Sequence, residues 1–249
     1  MTWKQMTTAA VVVSALSIAA LAHAQQPAAP PAAGGKADAV AALKQTLQQG
    51  LAKAKQYEWV ETTIISLKGE EKARKQNRCY YGADGKVQKI PIEQPAAQPK
   101  DQGGRGGRRG GAVKAKVVEN KKDEMQDYMT KATALIQTYV PPDPAKIQAA
   151  KDAGRVTATP QAGGAVSVVI SQYLQPGDAL TIGLDPAAGK LLSLAVNTYL
   201  EKKEDTVALD VKMNTLADGA LYAAESKLDA KAKNITVVIQ NTGHRPVQK

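Results

Sequence analysis

The sequence contains no phenylalanine, one cysteine (Cys79), two histidines (His23 and His244) and two tryptophans (Trp3 and Trp59) among its 249 residues. A single cysteine excludes a disulfide framework and a cysteine-built zinc site. Two histidines leave little material for a histidine-based catalytic or metal centre. Also missing are a G-x-x-x-x-G-K-[ST] phosphate loop, a G-x-S-x-G nucleophile elbow, an EF-hand loop and any internal repeat. Ser167, Ser171 and Ser193 fall within alternating strand patterns, with no partner base in view. The expectation is therefore a non-enzymatic protein with no cofactor and no metal. Hydrophobic residues still make up 43% of the chain, enough for a packed core, so the chain as a whole is not of the disordered class.

The first 24 residues have the pattern of a secretory signal. Lys4 is the only charge before an apolar run from Ala9 to Ala22, which ends in the small-x-small site Ala22-His23-Ala24. The run is about 14 residues long, short of the roughly 20 needed to span a bilayer. No later stretch is long and apolar enough either, so an integral membrane protein is not expected. Cleavage before Gln25 would remove Lys4 and leave 32 basic against 23 acidic residues, a net charge of +9, with His244 as the only histidine. The expected location is extracytoplasmic, periplasmic or secreted. In such a compartment Cys79 is an odd thiol. A buried strand residue is favoured over an intermolecular disulfide or a reactive thiol.

Residues 25–36 are rich in Pro, Ala and Gly and read as a tether. A helix is expected from about Ala37 to Gln56, with Val40, Leu43, Leu47 and Leu51 on one face. The period then changes to two. Tyr57, Trp59, Glu61, Thr63, Ile65 and Leu67 share one face of a strand, and Lys72–Tyr81 and Lys86–Ile92 return through short turns as an antiparallel meander. Residues 94–113 form a Gly/Arg-rich segment that lacks core residues. Residues 114–154 read as a helical insertion, stopped by Pro141, Pro142 and Pro144 and restarted by Asp143-Pro144 as N-cap and first helical residue. Strands are then expected at 165–174, 178–184, 189–200, 206–213, 220–228 and 234–240. The last of these is expected to close the sheet, and 242–249 to form a tail. The fold class is α+β: one domain over 37–241, with a curved antiparallel sheet of about nine strands, an N-terminal amphipathic helix and the helical insertion.

Between Gln94 and Lys116 lie six basic residues and one acid, so +5 of the expected +9 sits in one segment. Gly103–Gly111 resembles an RGG box, whose arginines stack on bases and neutralise phosphates. It has no interleaved aromatic residue, and export separates it from RNA, so nucleic acid is disfavoured. Arg105, Arg108 and Arg109 are instead candidates for contact with an anionic envelope surface, against the plainer alternative of a tolerated low-complexity insertion. Glu70-Glu71 and Asp123-Glu124 with Asp127 are the acidic clusters. A turn and an i,i+4 pair between Asp127 and Lys131 account for them without chemistry. The eight tyrosines and Trp59 are expected in core and rim, with Trp59 the candidate to line a pocket.

The order of leader, amphipathic helix, three-strand meander, helical insertion and long antiparallel run resembles the half-barrel of the lipoprotein-localisation carriers and related periplasmic lipid-binding proteins. The likeness covers about residues 37–241 and rests on element order. It implies a sheet wrapped around helices, with a cavity for acyl chains between them and lipid or lipoprotein as partner. No signature motif of that family is present, so it implies no particular ligand-binding residue. The Gly/Arg-rich segment is foreign to the pattern.

Overall fold

The computed structural model describes the backbone of residues 36–92 and 111–247, and the side chains of 45–92 and 123–247. The leader and most of the tether lie outside the described residues, as do Arg105, Arg108 and Arg109. Helix α1 spans Lys36–Ala54 and leads into strand β1, Tyr57–Leu67. Strand β2 is Glu70–Tyr81 and β3 is Val87–Pro91. The β1–β2 turn is the pair Lys68-Gly69, both with positive φ (53° and 81°), the conformation that matches the twist of a tight hairpin. Glu70 and Glu71 therefore begin a strand rather than belonging to the turn.

Helix α2 is Gly111–Gln137 and α3 is Pro144–Asp152. Asp143 caps α3 by accepting the amide of Ala145 at 2.9 Å, with Pro144 in the first turn. Strands β4 (Val156–Pro160), β5 (Val166–Ser171), β6 (Ala179–Asp185), β7 (Lys190–Tyr199), β8 (Thr206–Thr215), β9 (Leu221–Ala230) and β10 (Ile235–Pro246) follow. The described residues thus hold ten strands and three helices, an α+β arrangement. The strand beyond the expected nine is β4. It is short, ends in Pro160, is exposed at Thr157–Pro160 and lies at the sheet edge, so it shows no apolar alternation to find.

All ten strands join one antiparallel sheet in the order β3-β2-β1-β10-β9-β8-β7-β6-β5-β4. The expectation that the last strand closes the sheet is corrected. β10 lies in the interior, between β1 and β9, and β3 and β4 are left as two open edges. The helical insertion carries the chain from one edge to the other. Ten strands at about 4.8 Å spacing measure roughly 43 Å laid flat, and a 27-residue helix is about 40 Å long. The helix is thus about as long as the sheet is wide when laid flat.

Register shows which face the helices cover. Val196 opposes Leu180 and Leu209, Leu209 opposes Leu228, and Leu228 opposes Val237. This row is buried in one cluster with Tyr128, Ala132 and Ile136, which recur every four residues on α2. The opposite face carries Asp210, Lys212, Glu225, Lys227 and Asp229, paired as Lys212–Glu225 (2.8 Å) and Lys227–Asp229 (2.7 Å). Helix α1 touches the same covered side at the β8–β9 hairpin. A Cβ on Gly50 would stand 2.9 Å from Leu221 Cβ and 3.0 Å from Gly219 O, so glycine permits direct contact of helix and hairpin. Lys53 then donates to the Asp218 carbonyl.

Candidate functional site

A cavity of about 70 Å³ lies where the last turn of α1 meets the covered face of the sheet. Leu51 and Ala54 of α1 form one wall. Val211, Met213, Leu221, Ala223 and Ile239 form the apolar floor. Trp59, Tyr81, Tyr222 and His244 line the end nearest β1 and β10. Among the described residues no Lys, Arg, Asp or Glu lines it.

Two irregularities in the sheet shape the cavity. The β1–β10 register shifts between Glu58 and Val60, so that Gly243 and His244 together face Trp59. Gly243 has φ 63°, the left-handed conformation that a glycine at a bulge supplies. The bulge brings the His244 ring nearly parallel to Trp59, 15° apart with centroids 6.1 Å apart. Tyr222 packs on His244 at 3.9 Å, and Tyr81 lies 5.6 Å from Trp59. A second shift, between Lys212 and Met213 in the β8–β9 pair, lies at the cavity floor. Burial lowers the pKa of His244, which favours the neutral imidazole, and burial raises that of Tyr81.

Two polar atoms at this site are buried and have no hydrogen-bond partner: Trp59 Nε1 and Asn241 Oδ1. Trp59 is 9% exposed. The orientation of the Asn241 amide follows from its other end, because Nδ2 donates to the Ala223 carbonyl at 2.8 Å and Oδ1 is left as an acceptor. One unused donor and one unused acceptor thus belong to residues that line a single cavity. Buried polar groups are nearly always paired, so such a couple marks a place for water or ligand. The third unpartnered atom, Thr133 Oγ1 on α2, does not belong to the cavity lining.

Beside Trp59 on the same face is a buried ion pair. Glu61 is 1% exposed, and both of its carboxylate oxygens accept from Lys89 Nζ, at 2.7 and 2.8 Å. Cys79 opposes both Trp59 and Lys89 in register and is fully buried. Burial first, and then the Glu61 charge, push its thiol up to about 12. Fully buried, the thiol is out of reach of an intermolecular disulfide in the folded chain.

Glu70 pairs with Lys72, and Glu71 pairs with Arg74 at 2.8 Å, all on the surface. Asp123, Glu124 and Asp127 are exposed on α2. The expected Asp127–Lys131 pair is replaced by Lys131–Glu201 at 3.6 Å, because α2 packs beside the β7–β8 connection. Among the described residues no three His, Cys, Asp or Glu side chains stand close enough to hold a metal. None of the described helices is long and apolar enough to cross a membrane.

Of the residues singled out in the sequence, the structure brings Trp59 to the cavity. His244, expected in a tail, is instead half-buried in a strand and belongs to the same site. Gly243, a glycine just past the alternating run 234–240, supplies the bulge that places His244. Asn241 had no signal in the sequence. Compared with known protein families, curated proteins and solved structures, the chain matches none of them.

Proposed function

We propose that this chain is an exported, non-enzymatic binding or carrier protein for an apolar or amphipathic ligand, received between α1 and the covered face of the sheet. The supporting observation is the cavity itself: an apolar floor, an aromatic end, and an unused donor and acceptor on Trp59 and Asn241. Helices gathered on one face of an open antiparallel sheet also leave a seam along which such a ligand can enter. At about 70 Å³ the cavity has room for several waters, each needing ~10–15 Å³ of such space. Sites that bury a drug-sized ligand start near ~300 Å³. The cavity in this conformation takes the end of a ligand, and the rest requires the last turn of α1 to lift. The Gly50 approach and the Lys53–Asp218 contact are the attachments that would give way.

The test is solvent extraction and mass spectrometry of protein purified from its own envelope without detergent. The expected result is an apolar or amphipathic compound in near-stoichiometric amount. Adding that compound back should raise the melting temperature. Saturation at a hundredfold over Kd corresponds to about 2.7 kcal/mol. Empty protein that shows no shift across lipid classes would overturn the reading.

The charge distribution supports a second reading. Docking to an anionic envelope surface through Arg105, Arg108 and Arg109 rests on the concentration of positive charge between Gln94 and Lys116. Changing all three arginines to serine should abolish retention on anionic liposomes at low salt. The wild-type retention itself should fade above about 0.15 M salt, where the Debye length drops to ~8 Å. Unchanged retention of the triple variant would end this reading.

A further inference from the structure

We infer that the part of the ligand entering the cavity is an uncharged hydroxyl group, which accepts a hydrogen bond from Trp59 Nε1 and donates one to Asn241 Oδ1. The inference rests on the carrier reading and specifies the chemistry of its ligand.

The hydroxyls of Ser226, Tyr81 and Tyr222 also line the cavity and can turn to donate or accept, so the two groups of fixed sense decide between classes. The indole N–H can only donate, and the Asn241 oxygen, with its amide nitrogen engaged by Ala223, can only accept. A hydroxyl serves both at once. A carboxylate or phosphate oxygen would satisfy Trp59 and leave Asn241 unpaired, with a lone pair facing an anion. A quaternary ammonium would satisfy neither.

Charge points the same way. Among the described residues the lining contains no Lys, Arg, Asp or Glu to neutralise an ionised group, and an unpaired charge in such a site is strongly disfavoured. The nearby Glu61 and Lys89 are occupied with each other at 2.7 Å and do not line the cavity. The aromatic end adds the remaining specificity. The flat faces of Trp59, Tyr81 and Tyr222 suit the first carbons beyond the hydroxyl. The chain after those carbons would follow Leu51 and Ala54 under α1.

Three probes of equal chain length test this: decan-1-ol, decanoate and decyltrimethylammonium. Binding is read by calorimetry. The indole N–H resonance of Trp59 is read in ¹⁵N–¹H spectra and identified by its loss in Trp59→Phe. Decan-1-ol should bind at least about tenfold tighter than either ion, the factor expected for one satisfied hydrogen-bond pair. The Trp59 indole proton should move downfield with decan-1-ol and stay in place with decyltrimethylammonium, which offers it no acceptor. Asn241→Leu should cost decan-1-ol about tenfold and leave the weak binding of the ions unchanged.

The outcomes separate the hydroxyl assignment from the carrier reading. Equal or tighter binding of an ion, or an unmoved indole resonance on saturation with decan-1-ol, would overturn the hydroxyl assignment while leaving the carrier reading intact. Binding by none of the three, together with an empty extract from the envelope, would overturn both. The wild-type resonance decides the hydroxyl assignment even where a variant fails to fold.

Discussion

Lys89→Met is expected to destabilise the fold by about 3–5 kcal/mol, the cost of leaving a buried charge without its partner. The Glu61 side chain is 2% exposed and that of Lys89 14%, so water cannot replace the ammonium freely. Lys89 reaches from the edge strand β3 past β2 to Glu61 on β1, so the same contact ties the edge to the sheet interior. The double variant Glu61→Leu, Lys89→Met should recover most of the loss, because replacing both members of a buried pair with apolar groups is often neutral. Urea unfolding of the two single variants and the double variant measures this. A loss under about 1 kcal/mol for Lys89→Met, the range of solvated pairs, would show that the site admits water and that the pair is not the buried contact described here.

Asp178→Ala should cost about 3 kcal/mol or more, and clearly more than Tyr139→Phe at about 1–2 kcal/mol. Asp178 is 2% exposed. Its carboxylate accepts the backbone amides of Tyr173, Leu174 and Gln175 at 2.6, 3.0 and 2.8 Å. It also accepts the hydroxyl of the fully buried Tyr139 at 2.5 Å. Tyr139 Oη and Thr198 Oγ1 are 2.7 Å apart, and Gln175 Nε2 donates to Thr198 at 2.7 Å. One carboxylate thus ends a chain that links the C-terminal end of α2, the β5–β6 turn and β7. Burial first, and then the hydrogen bond to Asp178, push the Tyr139 hydroxyl well above its ordinary pKa. Alanine strands three amides and a phenol together, whereas phenylalanine at 139 removes one bond. Denaturation midpoints, with hydrogen exchange at amides 173–175, measure both. Equal losses in the two variants would mean that water serves the turn amides and that Asp178 is not their anchor.

Local patterning was legible wherever one physical cause dominated. In β8, Val207, Leu209 and Val211 alternate with Ala208, Asp210 and Lys212, and the former three are buried. Asp143-Pro144 starts a helix because a short carboxylate can take an early amide and proline already has the helical φ. The pattern failed where two causes competed. Glu61 lies on the apolar face of β1, and only its distant partner Lys89 allows it to be buried there. His244 looked like part of a tail because nothing near it in sequence is apolar enough to hold it. Trp59 and Tyr222, 185 and 22 residues away, do so through rings that meet only in the folded sheet.

The one-dimensional pattern therefore determined the period of every element but β4, the α+β class and the placement of helices between the first meander and the later strands, because these follow from side-chain spacing within a few residues. It carried no information on the union of β1 with β10, which joins two meanders about 180 residues apart and leaves both sheet edges open. That pairing is a backbone contact, open to any strand of suitable length, and it is selected by how the buried rows of the whole sheet match. The cavity is a consequence of it. Trp59 comes from one meander, Asn241 and His244 come from the other, and the bulge at Gly243 exists only where the two strands meet.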